Sequence, residues 1–276
     1  QQNLKEAVSH YMSAAQNGSV DAMFALGCFS LGHHHSIPGI PVDHEKALDY
    51  FGQAAQQNHY QSYLALGYCH LHGIGLKKPD PTQARFYFHQ AGDDGKLVDA
   101  QFLLATLYLF GDETTQKNPI KGVYYLRQAS DQHHPEAAFL LATRLFEGGE
   151  GVKKSNPTLA FKYMKESADL GHVDAQYAIA NIYRTGLAQP ESPSFSPKLF
   201  PPQPLKAFHY YQKAAQQSHA DALCSLGICY LERKCLPLHI EQIDSDTLND
   251  KALSYLEKAA NLGSEHAQFV LGTIIQ

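Results

Sequence analysis

The chain has 276 residues, of which 44% are apolar and only 18% are charged, so it carries enough apolar side chains to bury a sizeable core. Its net charge of −5 argues against a general nucleic-acid-binding protein, which would show a basic face. No apolar run approaches the roughly 20 residues that a membrane-spanning helix needs.

Two short patterns alternate along the chain, and both have helical spacing. The A pattern is a small residue followed four positions later by Leu or Ile and then directly by Gly or Ala. The B pattern is a small residue followed three or four positions later by aromatic residues and then by Ala. The B patterns start at Ala7, Ala47, Ala84, Gly122, Ala160, Ala207 and Ala252, and the A patterns alternate with them from Ala22, Ser62, Ala100, Ala137, Ala175, Ala222 and Ala267. Since residues four apart share one helix face, each pattern predicts a helix, named an A helix or a B helix accordingly.

The distances between the patterns separate a fixed turn from a variable loop. Each B pattern is followed 20 or 21 residues later by the Gly or Ala that ends the next A pattern, as from Ala7 to Gly27. The interval from there to the next B pattern varies from 17 to 27 residues. We therefore expect stacked helix pairs with tight B-to-A turns, and A-to-B loops that are exposed along one edge.

Two stretches, residues 62–94 and 137–172, contain the fullest copies of the two patterns. Their characteristic residues are Ser62, Leu66, Gly67, Gly73, Gly75, Ala84, Tyr87, Phe88 and Ala91 in the first, and Leu141, Gly148, Gly151, Val152, Ala160, Tyr163, Ala168, Gly171 and His172 in the second. This arrangement resembles the Sel1-like repeat family, a relative of the tetratricopeptide repeat. The resemblance implies an all-α fold, a right-handed α/α superhelix (solenoid) of antiparallel helix pairs.

The repeat also sets the expected domain organisation. A length of about 150 residues per domain would suggest two domains. Helix pairs that contact only their neighbours instead predict one Sel1-like repeat solenoid over residues 1–276, with about seven pairs and with loop insertions at 187–204 and 233–247. Because the chain begins at Gln1 within a B pattern and ends within an apolar A helix, we expect a piece of a longer protein, or an end covered by a partner or by a second copy.

The 16 His residues do not predict a strong metal site. The run His33, His34 and His35 lies in a predicted loop and could hold a metal weakly, although ordered sites take spaced ligands from fixed elements. Four other histidines, His59, His133, His172 and His219, each fall in a predicted B-to-A turn, where the resembled family often has His. The sequence contains neither an H-E-x-x-H helix nor a G-x-S-x-G elbow, and we predict no enzymatic activity and no cofactor.

The cysteines carry information about the compartment. They are Cys28, Cys69, Cys224, Cys229 and Cys235, and no C-x-x-C pair occurs among them. A zinc ribbon and a thioredoxin-like redox pair are thereby excluded, and a disulfide framework would be denser. We interpret them as mostly buried thiols, which favours a reducing compartment such as the cytoplasm, while a secreted or envelope-associated location stays open.

Partner recognition is expected on the A helices, which line the concave face in related superhelices. The positions six, seven and ten residues after the first small residue of the A pattern are predicted to face the open side. The candidates are Tyr68, His72, Phe110, Arg144, Glu147, Asn181 and Thr185. Aromatic side chains and an Arg among polar groups suit peptide or protein recognition. Packing against the next repeat is the alternative for any one of them.

The insertion at 187–204 contains six Pro, which excludes a helix interior and favours extended, polyproline-like structure. Such a loop could present Phe195, Leu199 and Phe200 to a partner. It could equally be a tolerated surface insertion that folds back onto the helices of its own chain. The insertion at 233–247 admits the same two interpretations.

These observations predict a non-catalytic protein–protein interaction scaffold or adaptor that binds a partner protein or peptide on the concave A-helix surface and the loop edge. The resemblance implies the same class, because members of the family act in endoplasmic-reticulum quality control, chitin-synthase activation and bacterial envelope or host-interaction systems. Self-assembly through the C-terminal helix is the alternative, and metal binding through the His33–His35 loop is a weaker one. Neither nucleic-acid binding nor direct membrane insertion is expected.

Overall fold

The structure, a computed structural model, describes residues 2–32, 41–111, 116–187 and 200–274. These residues are helical apart from turns, loops and two isolated β-bridges. No helix among them is long and apolar enough to cross a bilayer. The predicted histidine loop, His33–His35, and two of the loop candidates, Phe195 and Leu199, lie outside the described residues.

The chain divides into two compact units, residues 1–132 and 133–276. The first unit contains α1 (Gln2–Gln16), α2 (Val20–Leu31), α3 (His44–Ala55), α4 (Tyr60–His72), α5 (Pro81–His89), α6 (Val98–Phe110) and α7 (Pro119–Ser130), with a π-helical segment, Gln90–Asp94, directly after α5. The second unit contains α8 (Pro135–Glu147), α9 (Pro157–Asp169), α10 (Val173–Thr185), α11 (Pro204–Gln216), α12 (Ala220–Glu232), α13 (Leu238–Glu241), α14 (Ser245–Asn261) and α15 (Glu265–Ile274). A single solenoid over the whole chain stays a prediction.

Each A helix packs against the B helix that follows it. The pairs are α2 with α3, α4 with α5 and α6 with α7 in the first unit, and α8 with α9, α10 with α11 and α12 with α14 in the second. Successive pairs also contact each other inside a unit, as α3 contacts α4 and α11 contacts α12. The predicted all-α fold of stacked helix pairs is therefore confirmed.

Small residues on the A helices make room for large side chains of the B helices. A Cβ added to Gly27 would meet the ring of Phe51 at 2.5 Å, and Gly67 stands in the same relation to Phe88, also at 2.5 Å. Both phenylalanines are completely buried. A larger residue at either glycine would push the two helices of the pair apart, which explains why the A pattern ends on a small residue.

Histidine side chains cap several of the A helices. The Nδ1 atoms of His134, His172 and His219 accept hydrogen bonds from the backbone N–H three residues further on, at 3.2, 3.2 and 3.1 Å. These bonds satisfy N–H groups that the first turns of α8, α10 and α12 leave without an intrahelical partner. His172 and His219 thus have the turn role expected from the sequence. His133 also lies in a B-to-A turn, directly before the capping residue of α8, and His59 occupies the N-cap position of α4 with its Nδ1 2.8 Å from Ser62 Oγ.

A stacked pair of tyrosines joins α6 to α7 in the first unit. The rings of Tyr108 and Tyr125 are nearly parallel, with centroids 5.9 Å apart. The Tyr125 hydroxyl donates to Asp93 Oδ1 at 3.0 Å, and Asp93 Oδ2 also lies 2.7 Å from His89 Nδ1. Burial and the neighbouring Asp93 carboxylate raise the pKa of Tyr125, so the phenol stays a hydrogen-bond donor.

The second unit repeats this arrangement with a lysine in place of the histidine. Tyr183 stacks on Tyr210 at 5.7 Å, and the Tyr210 hydroxyl donates to Asp169 Oδ1 at 2.6 Å. The other carboxylate oxygen of Asp169 lies 2.6 Å from Lys165 Nζ. Burial alone would raise the pKa of Asp169, but hydrogen bonds from Lys165 and Tyr210 outweigh it and lower that pKa below its ordinary value.

Candidate functional site

A groove of about 390 Å³ lies across the A helices of the first unit. Its lining residues are Phe24, Cys28 and Leu31 of α2, Gln61, Leu64, Ala65 and Tyr68 of α4, Asp99 and Leu103 of α6, and Phe51 of α3. We name it the first groove. Asp99 is its one charged lining residue, so its surface is almost entirely apolar and aromatic.

Aromatic contacts hold the walls of the first groove in place. The Phe24 ring lies 5.7 Å from the Phe51 ring and 5.0 Å from the His59 ring. Tyr68 also lines the groove, and its ring lies 4.3 Å from that of His72. Tyr68 is nevertheless 43% exposed. The groove therefore offers a preformed apolar surface that is open to solvent.

A second groove, of about 530 Å³, lies among α10, α12 and the start of α15 in the second unit. It is lined by Tyr177 and Arg184 of α10, Pro204 of α11, Ser225, Ile228, Cys229 and Glu232 of α12, Lys234 and Cys235 of the following turn, and His266 of α15. We name it the second groove. Most of its lining residues carry a polar or ionisable group.

Arg184 is held in the second groove by a chain of hydrogen bonds. Its Nε donates to the hydroxyl of Tyr211 at 3.1 Å, and that hydroxyl donates to Asn181 Oδ1 at 2.6 Å. Tyr211 is completely buried, and burial raises its pKa to about 12. Because a neutral phenol anchors only the Nε of the guanidinium, the terminal amino groups of Arg184 remain able to bind an anion.

The predicted A-helix candidates are distributed over both units, with Tyr68, His72 and Phe110 in the first and the others in the second. Tyr68 lines the first groove, with His72 exposed beside it. Phe110 is 56% exposed at the end of α6. In α8, Arg144 is half-buried and Glu147 is exposed.

The two candidates on α10 have local structural contacts. Asn181 is half-buried and accepts the hydrogen bond of the Tyr211 hydroxyl, so it helps to position the group that binds Arg184. Thr185 is exposed, and its hydroxyl donates to the Asn181 carbonyl at 2.9 Å. Whether any of these residues contacts a partner stays a prediction.

One loop candidate, Phe200, folds back onto its own unit. Its ring stacks on Phe161 of α9 with centroids 4.2 Å apart. Its backbone forms a bridge with Leu187, whose N–H donates to the Phe200 carbonyl at 2.9 Å. This end of the proline-rich insertion therefore packs against the helices of its own chain, which is the second of the two interpretations drawn from the sequence.

Sequence reasoning missed most of the groove-lining residues. Phe24, Leu64 and Tyr177 lie two positions after the small residue that starts their A pattern, Leu103 lies three after, and Arg184 lies nine after. The prediction used positions six, seven and ten. Positions two, three and nine each lie three or four residues from position six, so their side chains share one stripe of the helix with it. This spacing was the signal that could have identified the missed residues.

The metal prediction can be examined only in part. Among the described residues, no group of three or more His, Cys, Asp or Glu side chains is placed to hold a metal ion. Weak metal binding through His33–His35 concerns residues outside the described ranges and stays a prediction.

The pairwise helices and the grooves on their A faces define an α-helical repeat protein. The profile of the Sel1 repeat family matches residues 20–59, 61–96, 98–134, 135–172, 173–196, 198–219 and 220–264. The segments 173–196 and 198–219 contain the two helices of one pair, α10 and α11, on either side of the proline-rich insertion. The chain belongs to the Sel1 repeat family, and the resemblance seen in its sequence is confirmed.

Two proteins are similar to about a third of the chain. A segment of 97 residues is 32% identical to the ERAD-associated E3 ubiquitin-protein ligase component HRD3B of Arabidopsis thaliana, covering 35% of this chain and 14% of that protein. A segment of 101 residues is 31% identical to chitin synthase regulatory factor 3 of Schizosaccharomyces pombe, covering 37% and 10%. The similarity thus spans only a small part of either relative.

Two solved structures share the fold. A protective antigen from uropathogenic Escherichia coli strains, which displays an SLR fold, aligns with a TM-score of 0.74 and 26% identity over 97% of this chain and 51% of that one. A Sel1 repeat protein from Oxalobacter formigenes aligns with a TM-score of 0.68 and 20% identity over 94% and 92%. Sel1 repeat proteins generally mediate protein–protein interactions, and most are non-catalytic scaffolds or adaptors.

Proposed function

We propose that this chain is a non-catalytic adaptor that binds a peptide segment of a partner protein through its A-helix grooves. The observation that carries the proposal is the first groove, where Phe24, Leu64 and Leu103 form an apolar surface beside the exposed Tyr68. A preformed concave surface lined by apolar and aromatic side chains is typical of ligand-binding sites.

The occupant of the first groove is a short segment that presents Leu or Phe side chains. The volume of the groove, about 390 Å³, lies within the range of roughly 300–1,000 Å³ that is usual for ligand sites. The groove therefore accommodates a few apolar side chains rather than a whole domain. Helical peptides dock in grooves of this type through apolar anchors spaced three or four residues apart. The single lining carboxylate, Asp99, leaves little basis for charge recognition.

The second groove favours a different feature of a partner, namely an acidic side chain. Arg184 and Lys234 are basic, and the hydrogen bond to the Tyr211 hydroxyl fixes the Arg184 guanidinium. Lys234 also pairs with Glu232 at 3.2 Å, which leaves Arg184 as the strongest anion-binding group in the lining. An Arg held in one orientation suits a carboxylate, because it can donate two parallel hydrogen bonds.

A displayed library of random peptides tests the first groove, since this experiment does not require the natural partner. We expect selection on the purified chain to enrich peptides with spaced Leu or Phe residues. Synthetic versions should bind the wild type but bind Leu64→Asp at least ~30-fold more weakly, since a buried charge at a binding hot spot costs about 2 kcal/mol or more.

The matched control is Phe86→Asp, which places the same charge on a B helix where the side chain is 53% exposed. This variant should bind the enriched peptides as the wild type does. If the peptides bind Leu64→Asp with unchanged affinity, or if both variants lose binding equally, the first groove is not the site.

Self-assembly is the second candidate, and one observation favours it. Phe269 on α15 is 70% exposed and Ile274 on the same helix is 41% exposed, so this helix offers apolar side chains to a second copy. Light scattering at increasing concentration should then show a dimer that Phe269→Asp returns to a monomer. A wild-type chain that stays monomeric throughout removes this candidate.

A further inference from the structure

Two cysteines lie close together in the lining of the second groove. Cys229 lies in the last turn of α12, Cys235 lies in the turn that follows, and both line the groove. Both thiols are free, and the neighbouring Cys235 contributes to raising the pKa of Cys229. They are separated by five residues of sequence, so their proximity depends on how the chain turns back after α12.

The backbone of this turn brings the two cysteines near each other. Arg233 caps α12 with φ of 53° and donates its N–H to the Cys229 carbonyl. The N–H of Lys234 donates to the same carbonyl at 3.2 Å, and Cys235 itself has φ of 66°. Positive φ is uncommon for residues other than Gly. Two such residues close together fold the turn back over the end of α12 and bring Cys235 near Cys229.

The two thiols differ in accessibility. Cys229 is 5% exposed, and burial, followed by the adjacent Cys235, raises its pKa to about 12. Cys235 is only half-buried at the edge of the groove. A small reagent that enters the second groove therefore reaches Cys235 more easily than Cys229.

We propose that Cys229 and Cys235 form a redox modification site, at which a hydroperoxide converts the two thiols into an intramolecular disulfide. Cys235 Sγ attacks a peroxide oxygen, the O–O bond breaks, and the alcohol or water that leaves takes up the thiol proton. This gives a sulfenic acid on Cys235. Cys229 Sγ then attacks the sulfenic sulfur, the S–S bond forms, and hydroxide leaves with the Cys229 proton as water. The two thiols lose two electrons and two protons, and the hydroperoxide is reduced to an alcohol and water.

The remaining cysteines serve as internal comparisons. Cys69 is completely buried, and burial, followed by the neighbouring Cys28, raises its pKa to about 11. Cys28 and Cys69 lie on two different helices, α2 and α4, whereas a single turn connects Cys229 to Cys235. Cys224 is 1% exposed. A disulfide requires two cysteines whose Cα atoms lie within about 7 Å of each other, and the turn after α12 favours the Cys229–Cys235 pair.

The test is mass spectrometry of the whole chain after oxidation. Reduced protein is treated with hydrogen peroxide or with tert-butyl hydroperoxide, remaining thiols are alkylated, and the protein is digested with trypsin without reduction. Trypsin cleaves after Arg233 and Lys234, so a Cys229–Cys235 disulfide appears as two tryptic peptides joined together. Dithiothreitol should release them.

Matched variants make the outcome decisive. We expect the joined peptides to disappear in Cys235→Ser and to persist in Cys224→Ser, which also removes the other cysteine of the Cys229 peptide. Circular dichroism verifies that both variants remain folded. Stable sulfenic or sulfinic acid on Cys235 without cross-linking would overturn the proposal, as would joined peptides that contain Cys28 and Cys69 instead, or full alkylation of Cys229 and Cys235 after peroxide treatment.

Discussion

The two grooves lie on the same kind of helix and differ in chemistry. The first groove is walled by Phe24, Leu64 and Leu103, whereas the second presents Arg184 and Glu232. Phe24 and Leu64 stand two positions after the start of their A patterns, Arg184 stands nine after and Glu232 ten after, all on the same helix stripe. The repeat therefore determines where a groove forms, and the residues of that stripe determine what it can bind.

The difference has a physical consequence for the strength and selectivity of binding. An apolar groove gains free energy from the area that it removes from water, and this gain responds weakly to ionic strength. A charged groove gains free energy from oriented hydrogen bonds and from charge, which salt screens over about 8–10 Å. The first groove should therefore bind by shape and hydrophobicity, and the second by charge complementarity.

The largest expected effect comes from the packing that builds the first groove. In Gly67→Ala the new Cβ would meet the Phe88 ring at 2.5 Å, so we expect a loss of about 1–3 kcal/mol in the free energy of unfolding. Gly52→Ala makes the same change on α3, where nothing lies within 4 Å. It should stabilise the chain by about 0.5–1 kcal/mol.

Urea unfolding followed by circular dichroism measures both variants. Equal midpoints for Gly67→Ala and Gly52→Ala would contradict the close packing of α4 against α5. The peptide affinity of the first groove should fall in Gly67→Ala as well, because Leu64 and Tyr68 stand on the helix that has to shift. The second groove should keep its affinity, since its lining residues all belong to the other unit.

The next effect separates the two grooves by their charge. Arg184→Ala should weaken the binding of an acidic peptide to the second groove by roughly tenfold or more, because a hydrogen bond to a charged group contributes about 1.5–3 kcal/mol. Fluorescence anisotropy at increasing salt concentration should show that wild-type binding weakens with salt while the residual binding of Arg184→Ala does not. The first groove and its apolar peptides should show neither dependence.

Lys234→Ala is the matched control, since it removes a cation that Glu232 already pairs with. Its effect should be clearly smaller than that of Arg184→Ala. Equal losses from both variants would mean that net charge, rather than the Arg184 guanidinium held by Tyr211, attracts the peptide.

Much of the fold could be predicted from the sequence because the helix pairs leave a periodic trace. Gly27 and Gly67 are small for the same reason, namely the buried ring that each one faces. The cap residues also recur, as with His172 and His219. Local packing of this kind repeats with the chain, so comparing the chain with itself reveals it.

The candidate site was less predictable because it depends on the direction in which each side chain points. A helix wheel predicted Tyr68 for the open side, and the structure places it in the first groove. The same wheel put Asn181 there, but the buried Tyr211 hydroxyl binds it. The partner of Asn181 lies 30 residues away in the sequence, and no spacing rule anticipates such a contact.

A smaller effect tests the hydrogen bonds that hold Arg184 in the second groove. Tyr211→Phe keeps the buried ring but removes the hydroxyl that binds both Arg184 and Asn181. We expect a loss of about 1 kcal/mol in the free energy of unfolding. We also expect weaker binding of acidic peptides, because Arg184 loses its fixed orientation. Urea unfolding and fluorescence anisotropy measure the two effects.

Tyr255→Phe provides the comparison for this variant. Its ring stacks on Tyr230 with centroids 5.6 Å apart, and the hydroxyl that it loses lies outside the Arg184 network. Peptide affinity should therefore be unchanged in Tyr255→Phe. An unchanged affinity in Tyr211→Phe would show that Arg184 needs no anchor to bind an anion.

The smallest effect concerns the stacked tyrosine pairs, whose hydroxyl binds an aspartate that lies beside His89 in the first unit and beside Lys165 in the second. In the second unit, hydrogen bonds from Lys165 and Tyr210 outweigh burial and lower the pKa of Asp169. A carboxyl group with a lowered pKa stabilises the fold above its unfolded pKa of about 3.9 and loses that contribution as the pH falls through its folded pKa. Asp169→Asn should thus be less stable than the wild type at pH 7, by less than about 1 kcal/mol because the pair is half-exposed. The difference should vanish in acid.

Asp250→Asn removes the same charge from an exposed position on α14 and should show little difference at either pH. If the gap between Asp169→Asn and the wild type does not change between neutral and acidic urea titrations, the Lys165–Asp169–Tyr210 group does not stabilise the second unit.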